Sequence, residues 1–146
     1  MFNYNLLKEP SFKYSTKTID NIFNIISKII KIKQKWILNI VFLDDNSIKN
    51  LNNNYRKINK STDVLSFHYY DDFSNIKNND LAWEIILSEN KIISQGIEYK
   101  LWTEKEFYKL IIHSVLHIIW FDHELDNDYN IMQELEEKVW KEVFEK

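Results

Sequence analysis

Histidine is scarce in this chain and unevenly spread. Three of its four copies lie in His113-Ser114-Val115-Leu116-His117-Ile118-Ile119-Trp120-Phe121-Asp122-His123. Residues four apart on a helix share one face, with Cβ atoms about 5–6 Å apart, so His113 and His117 can chelate a single ion. His123 stands six residues beyond His117, where a straight helix would point it elsewhere. The spacing therefore predicts that the helix ends near Ile119 or Trp120 and that the chain folds back to deliver a third nitrogen. Three protein nitrogens and a water make a catalytic zinc site, whereas a structural site closes with four protein ligands. Zinc with an open position lowers the pKa of bound water to about 7 and polarises a carbonyl or phosphoryl oxygen. On spacing alone a second reading stays open, in which the histidines are ordinary hydrogen-bonded residues at a helix–loop junction.

The chain has no cysteine, so a transition metal must rely on imidazole and carboxylate, and neither a disulfide nor a thiolate site is available. Zinc proteases of the HExxH type place a general-base glutamate directly after the first histidine. Here that position is Ser114, which disfavours peptide hydrolysis. Phosphodiester cleavage needs charge neutralisation and a nucleophile, which a metal and a nearby cation can supply without that glutamate.

Several elements must position these residues. Ile19, Ile22, Phe23, Ile26, Ile29 and Ile30 recur at helical spacing, predicting an amphipathic helix from about Thr16 to Lys33. Trp36 to Leu43 reads as a buried strand, and Asp44 can cap a helix running to about Tyr55. Arg56 to Ser61 reads as a polar loop. Asp63 to Tyr70 and Leu81 to Leu87 read as strands, separated by an acidic, Asn-rich loop from Asp71 to Asp80. Glu89 to about Ile97 reads as a helix. Thr103-Glu104-Lys105-Glu106 has the form of a capping box at the head of the histidine helix. A last helix from about Asp128 to Phe144 is expected to turn Ile131, Leu135, Val139 and Val143 inward.

The histidine segment resembles, without a gap, the H-G-x-L-H-L-x-G-Y-D-H signature of the YbeY family of bacterial endoribonucleases. Leu51 to Phe67, which contains Leu51-Asn52-Asn53-Asn54-Tyr55-Arg56 and Thr62-Asp63-Val64-Leu65-Ser66-Phe67, is similar to that family's L-N-x-x-Y-R-x-x-x-x-x-T-D-V-L-S-F. Weaker likeness runs through Glu84 to Ser88 and Met132 to Glu136. The resemblance implies an α/β (α+β) fold in one domain over residues 1–146: a small mixed sheet flanked by helices, with a zincin-like metal-binding helix. It implies a cytoplasmic, zinc-dependent endoribonuclease that acts on single-stranded RNA, matures small-subunit ribosomal RNA, serves ribosome quality control and meets the small subunit and its assembly factors. One zinc ion would sit on His113, His117 and His123, with Arg56, His113 and His117 as the catalytic residues.

Arg56 falls on the arginine that the family places in its active-site cleft, and it is the only arginine of the chain. A guanidinium offers permanent, bidentate contact to phosphate that lysine cannot copy, so a Lys-rich composition has reason to keep this one. The competing role is structural, with the side chain bound to Asp or to backbone carbonyls. Asp122 and Glu124 flank His123 and are placed to orient a ligand imidazole or to sit in a solvated turn. Asp63 and Thr62 read as fixtures between loop and strand. His68 takes the place of a family proline and reads as incidental. Ser114, Trp120 and Trp83 replace family glycines. At Trp120 a left-handed turn would cost roughly 1–2 kcal/mol, which zinc binding can absorb but which would misplace His123. Loss of those glycines keeps a second function in view, a ribosome-docking module that assists assembly without cutting.

The 146 residues, 45% apolar, suffice for one hydrophobic core. The first ten residues lack the form of a secretory signal, and no run of about 18 apolar residues exists to span a membrane. With a formal net charge of −3 the chain has no global attraction to nucleic acid, and DNA is not an expected partner. A basic patch must be local: Lys28, Lys31, Lys33 and Lys35, or Arg56, Lys57 and Lys60.

Overall fold

The structure, a computed structural model, describes residues 3–30, 37–68, 80–123 and 129–145, with backbone alone at 68, 119–123, 129 and 130. The elements run β1 (Asn3–Leu7), α1 (Thr16–Ile30), β2 (Ile37–Leu43), α2 (Asp45–Arg56), β3 (Val64–His68), β4 (Leu81–Ser88), α3 (Glu89–Glu98), α4 (Thr103–His123) and α5 (Tyr129–Phe144). The fold is α+β. Four strands form one mixed sheet in the order β1-β2-β4-β3, in which β1 and β4 run parallel to β2 and β3 pairs antiparallel with β4.

Side-chain alternation along the strands feeds two cores. Leu38, Ile40 and Phe42 of β2 and Trp83, Ile85 and Leu87 of β4 face α1, α4 and α5, in a cluster that also takes Ile19, Phe107, Ile111, Val115 and Val139. The opposite face is smaller: Ile48 of α2 meets Leu65 and Ile86, with Val41, Leu43, Leu51 and Phe67 around them. Residues two apart on a strand share a face, so β3 divides itself, with Val64 against the large core and Leu65 and Phe67 against the small one.

Local chemistry sets the element ends. The Asp44 carboxylate accepts the Ser47 N–H at 2.7 Å and caps α2 as expected. Ser88 does the same for α3, accepting from Lys91 N at 3.1 Å. The loop expected between residues 71 and 80 lies almost wholly outside the described residues, as do Lys31, Lys33 and Lys35.

Three expectations need correction, and one strand has no counterpart among them: β1, whose Asn3 and Asn5 are exposed at the edge of the sheet. The Thr103–Glu106 capping box does not form. Helix α4 already includes Thr103, Glu106 N donates to Trp102 O at 3.0 Å, and the Glu106 side chain is buried. In α5, Val139 is buried while Leu135 and Val143 are partly so, but Ile131 is exposed and Met132 takes the inward place one residue on. Finally, α4 does not stop at Ile119 or Trp120; it continues to His123. Trp120 thus has helical backbone, and no left-handed turn is asked of it.

Candidate metal centre

Helix α4 carries a run of buried apolar residues, with Phe107, Ile111, Ile112, Val115 and Leu116 all packed in the large core. That packing fixes the rotation of the helix and turns His113 and His117 together toward its more open side. Their rings lie edge to face with centroids 4.2 Å apart. The expected i, i+4 pair is present.

The imidazole of His113 meets a partner that sequence reasoning did not assign to the site. Glu136 of α5 pairs its carboxylate with Nδ1 of His113. An anionic partner at Nδ1 fixes the tautomer and ring orientation and leaves Nε2 as the atom available to a ligand, the usual arrangement around metal-binding histidines. The signal for Glu136 was its position in the Met132–Glu136 segment, one residue from Leu135 and three from Val139, on the flank of the apolar stripe of α5.

Partial removal from water is the first cause that lowers the pKa of His117, and the neighbouring His113 ring adds to it; Glu136 acts the other way. A lowered pKa keeps His117 neutral near pH 7, the form in which imidazole binds a metal.

His123 is the terminal residue of α4. On a continuous helix it lies about 9 Å further along the axis than His117 and about 240° around it. Its side chain, like that of Asp122, is outside the described residues, as is the whole of Glu124. Among the described residues no group of three His, Asp or Glu side chains is close enough to hold an ion. His117 and a His113 whose Nδ1 is held by Glu136 are donors of the kind a metal takes.

Ser114, between the histidines, is buried with its hydroxyl unpartnered among the described residues. Trp83, at another family glycine, is 4% exposed in the large core, beside a register shift that adds Ala82 to β4 between the partners of Ile37 and Leu38.

Arg56 closes α2, on the sheet face away from α4, and its side chain is exposed. Edge strand β3 lies between the two sites: Phe67 touches Tyr55 at 5.3 Å on one face, and α4 packs against the strand from the other. Arg56 forms no ion pair among the described residues, so the structural role weighed for it finds no carboxylate here. Asp63 and Thr62 are loop-to-strand fixtures, as expected: Asp63 O accepts from Ser88 N at 2.9 Å, and Thr62 donates to the Asp63 carboxylate at 3.2 Å.

Residues 5–143 match the family described as Endoribonuclease YbeY. The chain belongs to the YbeY family. Among its curated relatives, the Endoribonuclease YbeY of Syntrophomonas wolfei is 34% identical over 137 residues, covering 90% of this chain and 88% of that protein. The Clostridium beijerinckii protein of the same name is 33% identical over 152 residues, covering 90% and 91%. The solution structure of TM1509 from Thermotoga maritima superposes with a TM-score of 0.64 at 26% identity, covering 97% of this YbeY-family chain and 89% of the other. Among the described residues no helix is long and apolar enough to cross a membrane.

Proposed function

We propose that this chain is a zinc-dependent endoribonuclease that cuts single-stranded RNA, with small-subunit ribosomal RNA as its substrate and the small subunit with its assembly factors as its partners. The observation that carries the reading is the His113–His117 pair, one ring held by Glu136, in a chain of the YbeY family whose relatives are named endoribonucleases. His113 and His117 would hold the ion together with His123. When bound, zinc supplies a Lewis acid for a phosphoryl oxygen and acidifies water. Glu136 orients His113, and neutral His117 keeps its lone pair free. The Arg56 guanidinium, unpaired among the described residues, binds the phosphate of an RNA strand passing the β3 edge and offsets negative charge that grows during cleavage.

Cleavage of single-stranded RNA by metal-replete protein, compared with His117→Ala and Arg56→Ala, tests the assignment; equal activity in all three rejects it. Elemental analysis of untagged protein should find about one zinc per chain, lost on substituting any of the three histidines.

The continuous course of α4 to His123 favours a second reading, a module that docks on the small subunit without cutting. It requires ribosome association and correction of immature ribosomal RNA that persist in His117→Ala.

A further inference from the structure

The end of α2 joins three features that the metal centre does not explain. Tyr55 is 69% exposed, near the end of a helix that packs on the small core through Ile48 and Leu51. Its ring touches Phe67 edge to face, with an interplanar angle of 72°, which braces the side chain and leaves most of it in water. Arg56 and Lys57 follow it directly and Lys60 comes three residues later, all exposed and without an ion pair among the described residues. Three cations thus fall between residues 56 and 60 of a chain whose net charge is −3, a local concentration of positive charge.

The backbone that presents them is fixed. Lys57 adopts the left-handed conformation, φ 60° and ψ 28°, which disfavours any side chain and persists only where surrounding bonds impose it. Those bonds are present: Lys57 N donates to Asn53 O at 3.1 Å, Ile58 N to Asn52 O at 3.3 Å, and the buried Asn52 amide to Lys60 O at 2.8 Å. Nearby carboxylates are turned to other partners, Asp45 to Ser61 and Ser88, Asp63 to Thr62 and Gln95. A braced aromatic ring beside unpaired cations on a rigid backbone is what single-stranded nucleic acid needs: a face for a base and charges for its phosphates.

We propose that Tyr55 is a base-stacking platform for single-stranded RNA whose phosphates are taken by Arg56, Lys57 and Lys60. This rests on the RNA-cleaving reading above and adds a substrate contact on the opposite side of the β3 edge from the histidines.

The test is binding of a short fluorescent single-stranded RNA to the full chain, followed by anisotropy across a salt series, beside an abasic chain of the same length and charge. Losing one stacked base should weaken binding of the normal RNA by about tenfold in Tyr55→Ala, with the abasic chain unaffected and Tyr55→Phe near wild type. The slope of log K against log salt should stay unchanged in Tyr55→Ala and fall by about 0.7 in Lys57→Gln, the value for one phosphate contact on a single strand. If Tyr55→Ala binds normal RNA as wild type does, or weakens both ligands equally, the stacking role is overturned while the RNA-cleaving reading stands. If wild type neither binds nor cuts RNA, that reading falls and takes this proposal with it.

Discussion

The two faces of the sheet position their polar residues by different means. On the α4 face, a deep core locks a long helix, and the histidines inherit their placement from the apolar residues between them. On the α2 face, Ile48, Leu65 and Ile86 form the buried centre among the described residues, and the cationic loop beyond is held by hydrogen bonds to Asn52 and Asn53. Packing can aim a side chain from a helix of any length, whereas a loop outside the core needs a buried polar anchor.

Substitutions on each face sharpen this contrast. The largest effect should come from Phe107→Ala, which empties a fully buried aromatic site touching Phe12, Tyr14 and Phe42 and should cost about 3–5 kcal/mol in urea unfolding. The histidine pair should be disturbed with it, seen as weaker metal binding at temperatures where the variant is still folded. Glu136→Ala leaves the core intact and removes only the partner of His113; zinc affinity should fall about 10- to 100-fold with little change in the unfolding midpoint. An unchanged affinity would show that packing alone orients the ring.

On the other face, Asn52→Ala strips the Lys60 carbonyl of its donor. It should cost about 1–3 kcal/mol, and with the anchor gone the salt dependence of RNA binding should weaken although every cation remains. If stability falls and the salt slope does not, the loop is held by something other than Asn52.

This difference also decides what could be read in advance. The helical period of Ile19 to Ile30, the Asp44 cap and the i, i+4 histidines are local patterns, and the structure repeats them. Glu136 is 23 residues from His113, and its role depends on how α5 crosses α4, which no local pattern encodes. The reversal after Trp120 was inferred from the need for a third nitrogen. The residues Ile118-Ile119-Trp120-Phe121 contain no glycine or proline to stop a helix, and α4 runs on through them. Left-handed Lys57 was equally hidden, because the loop lacks the glycine that usually marks such a position.

Ser114 offers a smaller test of the packed face. Its hydroxyl is buried without a partner among the described residues, in a helix interior where alanine is the better former. Ser114→Ala should raise stability by about 1 kcal/mol and leave zinc affinity as it was. A loss of stability would mean that the hydroxyl finds a hydrogen bond in solution.

Glu106 probes the same helix at its other end through pH. Its carboxylate is buried, with one oxygen lacking a hydrogen bond among the described residues and only Lys109 Nζ, at 4.0 Å, for charge. Burial raises its pKa above the ordinary glutamate value; Lys109 opposes this, and Asp63 at the head of β3 adds to it. Because the folded chain takes up this proton at a higher pH than the unfolded one, the folded state binds more protons in the window between the two values. Stability from this group therefore rises as pH falls through the folded value and levels off below the unfolded one. Glu106→Gln removes the effect, so the variant should be the more stable at pH 7 and its advantage over wild type should shrink as the pH is lowered toward the ordinary glutamate range. An advantage that holds constant with pH would assign the gain to packing and leave the buried charge without a cost.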